Sequence, residues 1–269
     1  MLGENYLPTV DWVAEGIRKG RSPRDGYIRG WGIEFKGLRD RVRQDPLYRE
    51  AAALAEGRSV MAEDNRINIY LLLRFFLERI PFGHIVEFGS YRCGNAMFMA
   101  HVLQRIGSEA KVFAFDTFAG MPDADATVDA HSRGDFANVD LAEIRKVIAD
   151  NRLSNLEIVP GLFQDTAVEA LERIGPVALA HIDSDIYSAI AYAYEAVRMK
   201  MVTGGYLVFD DAAVPSCLGA TEAVEELLIR RDGMHAEQIS PQFVFRSGLR
   251  DKGENHPSAT RPDTGRGSA

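Results

Sequence analysis

Four aspartates follow two apolar segments in the second half of the chain. Asp183 and Asp185 stand in HIDSDIY, and Asp210 and Asp211 end VFDD. Because parallel strands end at a common edge of a sheet, we expect these carboxylates to border one crevice. Bunched carboxylates raise each other's pKa unless a cation neutralises them. The pattern therefore predicts a site for a hard divalent cation such as Mg²⁺.

A bound cation of this kind would favour the transfer of a group to a hydroxyl, since it stabilises the alkoxide while a neighbouring group takes the proton. Asp183 is the first candidate for that base, and His181, on the same strand face, is the second. Two alternatives stay open. His181 has the position of a buried, hydrogen-bonded core histidine, and Asp185 and Asp211 have positions from which they could cap the next helix or turn without any metal.

A second set of residues indicates a cofactor. In residues 84–122, an apolar strand ends at Glu87, a turn contains Gly89 and Gly94, and a second strand ends at Asp116. The glycines would let the backbone approach a ligand, and an acid at the second strand end can accept hydrogen bonds from a ribose diol. This pattern predicts a βαβ nucleotide-binding half. In the alternative, Glu87 only caps its strand and Asp116 only starts a turn.

The turn itself distinguishes between possible cofactors. It reads EFGSYRCG rather than the G-x-G-x-x-G that holds a pyrophosphate. S-adenosylmethionine (SAM) carries an ammonium, a sulfonium and a ribose but no phosphate, so an acid-rich pocket complements it better than it complements NAD. We therefore expect SAM.

The elements that must position these residues alternate between strand and helix. Such alternation predicts an α/β fold with a doubly wound, mostly parallel sheet and an antiparallel pair at one edge. After a helix that begins at Asp64 and ends before Pro81, the expected strands are 85–87, 112–116, 156–160, 177–182, 206–209, 236–240 and 242–246, and the expected helices are 95–106, 141–151, 166–174, 187–201 and 220–231.

Composition divides the chain into three parts. Residues 1–60 are rich in charge and predict a helical appendage or lid, and residues 61–250 form the expected SAM-dependent domain. Residues 251–269 are rich in Gly, Pro and Ser and predict a disordered tail. Residues 120–136 form an acidic loop that is longer than most connections. The length and composition of this loop fit equally well with a lid over the site and with a loop that only extends into solvent.

The net charge indicates which partners the protein binds, and the cysteine content indicates its cellular location. The formal net charge of −8 argues against nucleic acid as a partner and favours small-molecule chemistry. The two cysteines, Cys93 and Cys217, lack metal or disulfide spacing and predict a reduced, cytoplasmic location. We expect Cys93 to be a packing residue. There is no signal peptide and no apolar run of membrane-spanning length, so we also expect a soluble protein, and one that forms a homo-oligomer.

Several longer motifs resemble those of the TylF family, the macrocin-type O-methyltransferases that methylate deoxysugars in antibiotic biosynthesis. The matching segments lie within residues 60–246 and are VEFGSYRCGN, FAFDTFAGMP, VPGLFQDT, AHIDSDIYSA and GGYLVFDD. The segments VDAHSRGDF and GATEAVEEL resemble in particular the members that act on sugars in enediyne pathways such as that of calicheamicin.

This resemblance implies a Rossmann-like class I SAM methyltransferase fold and specific residue roles. It implies SAM as methyl donor, a divalent ion held by Asp183, Asp210 and Asp211, and Asp183 as the base, with His181 as the alternative. Asp183 also borders the implied SAM site. The other implied SAM contacts are Glu87, Gly89, Ser90 and Tyr91 for the methionine end, Asp116 and Thr117 for the ribose, Phe163 and Gln164 for the adenine, and Met61 in a preceding segment.

The acceptor is left open by the residues themselves. A sugar hydroxyl is the first expectation, and a phenol or catechol is the second because metal-assisted deprotonation suits it equally. A third possibility is a protein that binds SAM without catalysing a reaction. The four intact strand-end aspartates argue against that third possibility.

Overall fold

The computed structural model describes residues 37–248. Its helices are α1 Leu38–Gln44, α2 Pro46–Ala55, α3 Glu63–Leu71, α4 Gly94–Arg105, α5 Leu141–Asp150, α6 Phe163–Ile174, α7 Tyr187–Val197 and α8 Leu218–Ala223. Its strands are β1 His84–Phe88, β2 Val112–Asp116, β3 Leu156–Pro160, β4 Val177–Ile182, β5 Met201–Phe209 and β6 Phe243–Arg246. Helix α3 continues as a π-helical segment, Leu72–Phe76, and a 3-10 turn, Leu77–Arg79.

These six strands form one sheet in the order β3-β2-β1-β4-β5-β6. Strands β1 to β5 are parallel, and β6 runs antiparallel to β5 at the edge. The predicted mostly parallel sheet with an antiparallel edge pair is therefore confirmed. The direction in which successive strands are added to the sheet reverses between β1 and β4, so the carboxyl ends of these two neighbouring strands open a crevice where an α/β sheet binds ligands.

Both faces of the sheet are covered, as a doubly wound fold requires. One hydrophobic cluster joins alternate strand residues such as Ile85 and Leu179 to helices α1 to α4. A second cluster joins the intervening residues, such as Val86 and Ala180, to helices α6 to α8. Side chains alternate between the faces of a strand, so a continuous apolar run such as β4 supplies both clusters.

Some predicted boundaries were wrong. The helix predicted over 187–201 ends at Val197, and Met201 already begins β5, because Gly204 and Gly205 join the strand rather than interrupting it. Residues 236–240 contribute only an isolated antiparallel bridge from Gln238 to Val244 instead of a strand.

Two further helices differ from their predicted spans. Helix α6 begins at Phe163, three residues before the predicted start, and its N-cap Leu162 gives no side-chain hydrogen bond that would mark the boundary. The helix predicted over 220–231 begins at Leu218 and continues as a π-helical segment, Val224–Arg231.

The predicted tail, 251–269, and the first 36 residues of the predicted appendage lie outside the described residues. Within 37–248, no helix is both long enough and apolar enough to cross a membrane.

Candidate active site

A cavity of about 390 Å³ opens at the carboxyl ends of strands β1, β2, β4 and β5. This volume lies within the range of small-molecule and cofactor sites. The predicted site residues that line it are Met61, Gly89, Tyr91, Asp116, Thr117, Phe163, Gln164, Asp183, Asp210 and Asp211. Glu87, Ser90, Gly94 and His181 are not among the lining residues. The structure therefore brings most of the predicted residues together at one opening.

Beneath the cavity lies a buried polar network. Glu87 and His181 are opposite each other across β1 and β4, and His181 Nδ1 lies 3.2 Å from Glu87 Oε1. Asn95, in the first turn of α4, donates to the same Oε1 at 2.6 Å. His181 Nε2 faces Asp210 Oδ1 at 3.4 Å. His181 is thus a buried side chain held between two acids. This agrees with the alternative interpretation of His181 as a hydrogen-bonded core histidine.

This environment determines the charge of His181. Burial alone would lower its pKa, but the hydrogen bonds and charges of Asp210 and Glu87 outweigh burial and raise the pKa to about 9. Both ring nitrogens are directed at carboxylates, Nδ1 at Glu87 and Nε2 at Asp210, and the side chain does not line the cavity.

Asp210 is oriented by three donors that all bind one of its oxygens. Besides His181, Asn65 Nδ2 lies 3.0 Å and Gln242 Nε2 lies 2.6 Å from Oδ1. No hydrogen bond within residues 37–248 uses Oδ2 of Asp210. Gln242 is itself held by Asn68, whose Nδ2 donates to Gln242 Oε1 at 3.0 Å. One carboxylate oxygen is therefore fixed by the protein, and the other is left for a ligand.

Asp183 lines the cavity, and its carboxylate makes no hydrogen bond within the described part of the chain. Burial raises its pKa well above the usual value, and the charges of Asp210 and Asp211 raise it further. Ligand atoms of Asp183, Asp210 and His181 all lie within 4.8 Å of one another. Asp211 is outside that group, and its Oδ2 accepts the backbone N–H of Asp185 at 2.9 Å.

A hard divalent cation fits this donor set. Asp183 offers a carboxylate without a hydrogen bond, and Asp210 offers the oxygen that its three donors leave free. Oxygen ligands of this kind suit Mg²⁺. A dication here would also offset the mutual repulsion that raises the pKa of Asp183 and, after burial, that of Asp211.

The end of the cavity at β2 is the part predicted to hold the cofactor. Asp116 Oδ2 accepts the N–H of Tyr91, and Oδ1 accepts the N–H of Phe118, both at 2.7 Å. Asp116 therefore starts a turn, which was the alternative interpretation of this residue. It also lines the cavity, so both roles are compatible. Burial raises its pKa while these backbone donors oppose the rise.

Two buried polar atoms near the β1 turn lack any partner within residues 37–248. They are Glu87 Oε2 and Ser90 Oγ. Unpaired buried oxygens are costly, and they often mark the place of an absent ligand or water. An amino-acid group such as the methionine end of SAM could satisfy such oxygens.

The two glycines of the turn are required by the protein's own packing. A Cβ at Gly89, where φ is +87°, would lie 1.7 Å from the carbonyl oxygen of Asp183. A Cβ at Gly94 would lie 2.6 Å from the carbonyl carbon of Arg58. Glycine at these positions therefore allows neighbouring backbone segments to approach, and only Gly89 also lines the cavity.

The acidic loop 120–136 forms one wall of the cavity through Gly120, Met121, Pro122, His131 and Phe136. It is anchored by Asp129, which is buried and accepts the N–H of Tyr187, the first residue of α7, at 2.9 Å. Its position against the cavity supports the lid interpretation over that of a solvated excursion.

Sequence reasoning missed Asn65, Gln242, Cys217 and the place of His131. Three of these, Asn65, His131 and Cys217, line the cavity. The fourth, Gln242, does not line the cavity but donates to Asp210. The cysteine that we did expect to be a packing residue, Cys93, is fully buried, and burial raises its pKa.

Comparison with known proteins gives a consistent result. A profile of the macrocin-O-methyltransferase (TylF) family matches residues 71–236, more than half of the chain. A curated relative, the 8-demethyl-8-(2,3-dimethoxy-alpha-L-rhamnosyl)-tetracenomycin-C 4'-O-methyltransferase of Streptomyces olivaceus, is 30% identical over 148 residues. That match covers 51% of this chain and 56% of the relative. The chain thus spans about half the length of this relative.

Two solved structures share the fold. The O-methyltransferase NovP superposes with a TM-score of 0.61 at 22% identity, covering 84% of this chain and 99% of NovP. CalS11, a calicheamicin methyltransferase, superposes with a TM-score of 0.55 at 22% identity, covering 75% of this chain and 91% of CalS11. The predicted methyltransferase fold is confirmed.

Proposed function

Since the chain belongs to the macrocin-O-methyltransferase (TylF) family, we propose that it methylates a hydroxyl of a sugar-bearing small molecule in antibiotic biosynthesis. SAM would be the methyl donor. A divalent cation, Mg²⁺ in the first instance, would be held by Asp183 and Asp210, with Asp211 at the same edge. The observation that carries this proposal is Asp183, a carboxylate without a hydrogen bond that faces the cavity beside the oriented Asp210.

The cofactor would lie along the β1, β2 and α6 ends of the cavity. Asp116 and Thr117 line the part expected for the ribose, and Phe163 and Gln164 line the part expected for the adenine. Glu87 Oε2 and Ser90 Oγ, buried without partners among the described residues, support a charged amino-acid group near the β1 turn. SAM supplies the methyl group on a sulfonium, so the protein needs only to align the acceptor and remove its proton.

We assign the proton transfer to Asp183. It lines the cavity, whereas His181 lies beneath it with both ring nitrogens directed at acids. A cation bound beside Asp183 would lower the pKa of an acceptor hydroxyl. His181, Asn65 and Gln242 then act as positioning residues, because all three bind Asp210 Oδ1 and fix the orientation of that carboxylate.

The relative's name supports a sugar acceptor, since it is a 4'-O-methyltransferase of a rhamnosyl tetracenomycin. A phenol or catechol acceptor remains the second candidate because the same cation and base would serve it. Purified enzyme should be incubated with SAM and two panels, one of glycosylated aglycones and nucleotide deoxysugars, the other of catechols. Methylation detected by mass spectrometry only in the catechol panel would contradict the sugar assignment.

The metal is tested by chelation. EDTA should abolish methyl transfer, and added Mg²⁺ should restore it.

Asp183→Asn should lower kcat by about 100-fold or more, the usual contribution of a general base, while SAM affinity measured by calorimetry is unchanged. Asp150→Asn is the matched control, because Asp150 is exposed and pairs only with Lys146. Full activity of a metal-stripped enzyme, or of Asp183→Asn, would contradict the mechanism.

A further inference from the structure

A second cluster of potential ligands lies on the loop side of the cavity. His131 comes from the loop 120–136, Asp185 from the turn between β4 and α7, and Cys217 from the residue before α8. All three line the cavity, and none takes part in the chemistry proposed above.

Their ligand atoms form a nearly equilateral triangle. His131 Nε2 lies 3.5 Å from Asp185 Oδ1. Cys217 Sγ lies 3.7 Å from His131 Nε2 and 3.6 Å from Asp185 Oδ1. Around a tetrahedral Zn²⁺, bonds of about 2.0 to 2.3 Å place the ligand atoms about 3.3 to 3.7 Å apart. The triangle therefore has the dimensions of one face of such a site.

Asp135 adds an outer contact that suits metal binding. Its Oδ2 lies 3.4 Å from His131 Nδ1. A carboxylate at this nitrogen favours the tautomer with the proton on Nδ1, which leaves the Nε2 lone pair directed at Asp185 and Cys217. Histidine ligands of metals are commonly oriented by a carboxylate in this way.

The Cys217 thiol must lose its proton before it can bind a metal. Burial, then the charge of Asp211, raises the pKa of the Cys217 thiol to about 12. Without a cation the thiol is therefore protonated, and a metal that binds here must displace that proton. The mixed nitrogen, oxygen and sulfur set suits Zn²⁺, whereas the oxygen-only set of Asp183 and Asp210 suits Mg²⁺.

We propose that His131 Nε2, Asp185 Oδ1 and Cys217 Sγ form a zinc-type site that is separate from the Mg²⁺ site. Because His131 belongs to the loop, whereas Asp185 and Cys217 lie in the segments that precede α7 and α8, the ion fastens the loop over the cavity. This proposal does not depend on the identity of the acceptor.

Cobalt spectroscopy tests the site directly. The reduced, chelator-treated protein should be titrated with Co²⁺ in the presence of excess Mg²⁺. We expect one equivalent of Co²⁺ to give a near-ultraviolet thiolate-to-cobalt band and the strong visible bands of four-coordinate Co²⁺, and Zn²⁺ should displace them. Absence of the thiolate band in the folded protein would overturn the proposal.

Variants assign the band to these residues. Cys217→Ser should remove it although Cys93 is still present, and His131→Ala should weaken or remove it. His131 is partly exposed, so the second variant does not depend on a core position. His235→Ala, at an exposed histidine, is the matched control. Asp183→Asn should keep the band, because that residue belongs to the other site. A thiolate band that survives in Cys217→Ser would contradict the assignment.

Proteolysis tests the fastening of the loop without relying on activity. Arg133 is exposed within the loop and offers a trypsin site. Zn²⁺ should slow cleavage after Arg133 at least several-fold in the wild-type protein, and it should leave the rate in Cys217→Ser unchanged. Equal cleavage with and without Zn²⁺ in the wild type would mean that hydrogen bonds alone hold the loop, and it would overturn the fastening role.

Discussion

Asp116 combines a structural role with the proposed ribose contact. Its two carboxylate oxygens accept the N–H groups of Tyr91 and Phe118. Each oxygen has a second lone pair, so the same carboxylate can still accept from a ligand. Strand-end position predicted this residue, but its turn contacts followed only from the structure.

Asp116→Ala should therefore weaken SAM binding and also lower stability. Loss of buried hydrogen bonds to a ribose diol should cost on the order of 1–3 kcal/mol of binding free energy. Calorimetry with SAM measures the first effect, and thermal unfolding without SAM measures the second. Asp125→Ala is the control, because Asp125 is exposed and its side chain bonds to Thr127 and not to Asp116 or the cavity. An unchanged dissociation constant in a folded variant would contradict the ribose assignment.

Gln242 affects the proposed metal site without facing the cavity. Gln242→Leu removes the donor that lies 2.6 Å from Asp210 Oδ1. Residues that orient a metal ligand commonly change metal affinity by about 10 to 100-fold. We expect the Mg²⁺ concentration for half-maximal activity to rise by about that factor. Affinity for SAM should be unchanged.

The matched control for this change is Gln104→Leu, since Gln104 is exposed and its side-chain amide donates to the Arg152 carbonyl, far from Asp210. Thermal unfolding of Gln242→Leu should be recorded alongside, because Asn68 loses its acceptor in this variant. An unchanged Mg²⁺ requirement would show that Gln242 does not orient a metal ligand.

The site residues differ in how far the sequence predicted them. Asp183 and Asp210 were predictable because each directly follows an apolar run, and parallel strands end at a common edge. Asn65 and Gln242 were not, since an amide on a helix or edge strand carries no local signal and their partner Asp210 is remote in sequence. His131 lies in a loop whose path depends on tertiary contacts.

Among the elements, the loop 120–136 depends most on a single anchor. Asp129 Oδ1 caps the first N–H of α7, whose own N-cap residue, Ile186, gives no side-chain hydrogen bond. A Cβ at Gly219, in the first turn of α8, would lie 1.9 Å from the same oxygen. The loop carboxylate therefore occupies a space that α7 and α8 leave for it. Composition predicted the loop but gave no indication of this anchor.

Asp129→Ala should release the loop and uncap α7. The loss of a helix cap costs about 0.5–2 kcal/mol of unfolding free energy. We expect faster trypsin cleavage after Arg133 and lower turnover, with SAM affinity largely kept. Asp125→Ala is the matched control, because Asp125 lies in the same loop, is exposed, and its side chain bonds to Thr127 rather than to Arg133. Wild-type cleavage and turnover in Asp129→Ala would contradict the anchoring role.

Element boundaries were predicted well where polarity changes sharply. Strands β3 and β4 have the predicted limits because turn residues flank short apolar runs. Boundaries were missed where no capping side chain marks them, as at Leu162 before α6, and where glycines continue a strand, as at Gly204 in β5. In both places tertiary packing overrides local preference.

For the whole molecule, the alternation of strands and helices predicted the layers but not the extent of the core. Helices α1 and α2 belong to the same hydrophobic cluster as α3, α4 and one face of the sheet. Tyr48 of α2 packs edge to face against Tyr70 and Phe98, with ring centroids 5.4 and 5.8 Å apart. The Tyr70 hydroxyl donates to Asp45, the N-cap of α2, at 2.6 Å. This packing leads us to expect that residues 38–55 are part of the folded core rather than a detachable appendage.

Two truncated chains test that expectation, one beginning at residue 37 and the other at residue 60. The first keeps helices α1 and α2 and should unfold in one cooperative transition. The second loses Leu38, Val42 and Tyr48, which are all buried. Burying a large apolar side chain contributes about 1.5–3 kcal/mol, and a domain's whole stability is about 5–15 kcal/mol. The second chain should therefore be unfolded or bind a hydrophobic dye at room temperature. If it instead unfolds cooperatively at the temperature of the first, the core begins after α2, and residues 1–60 are an appendage.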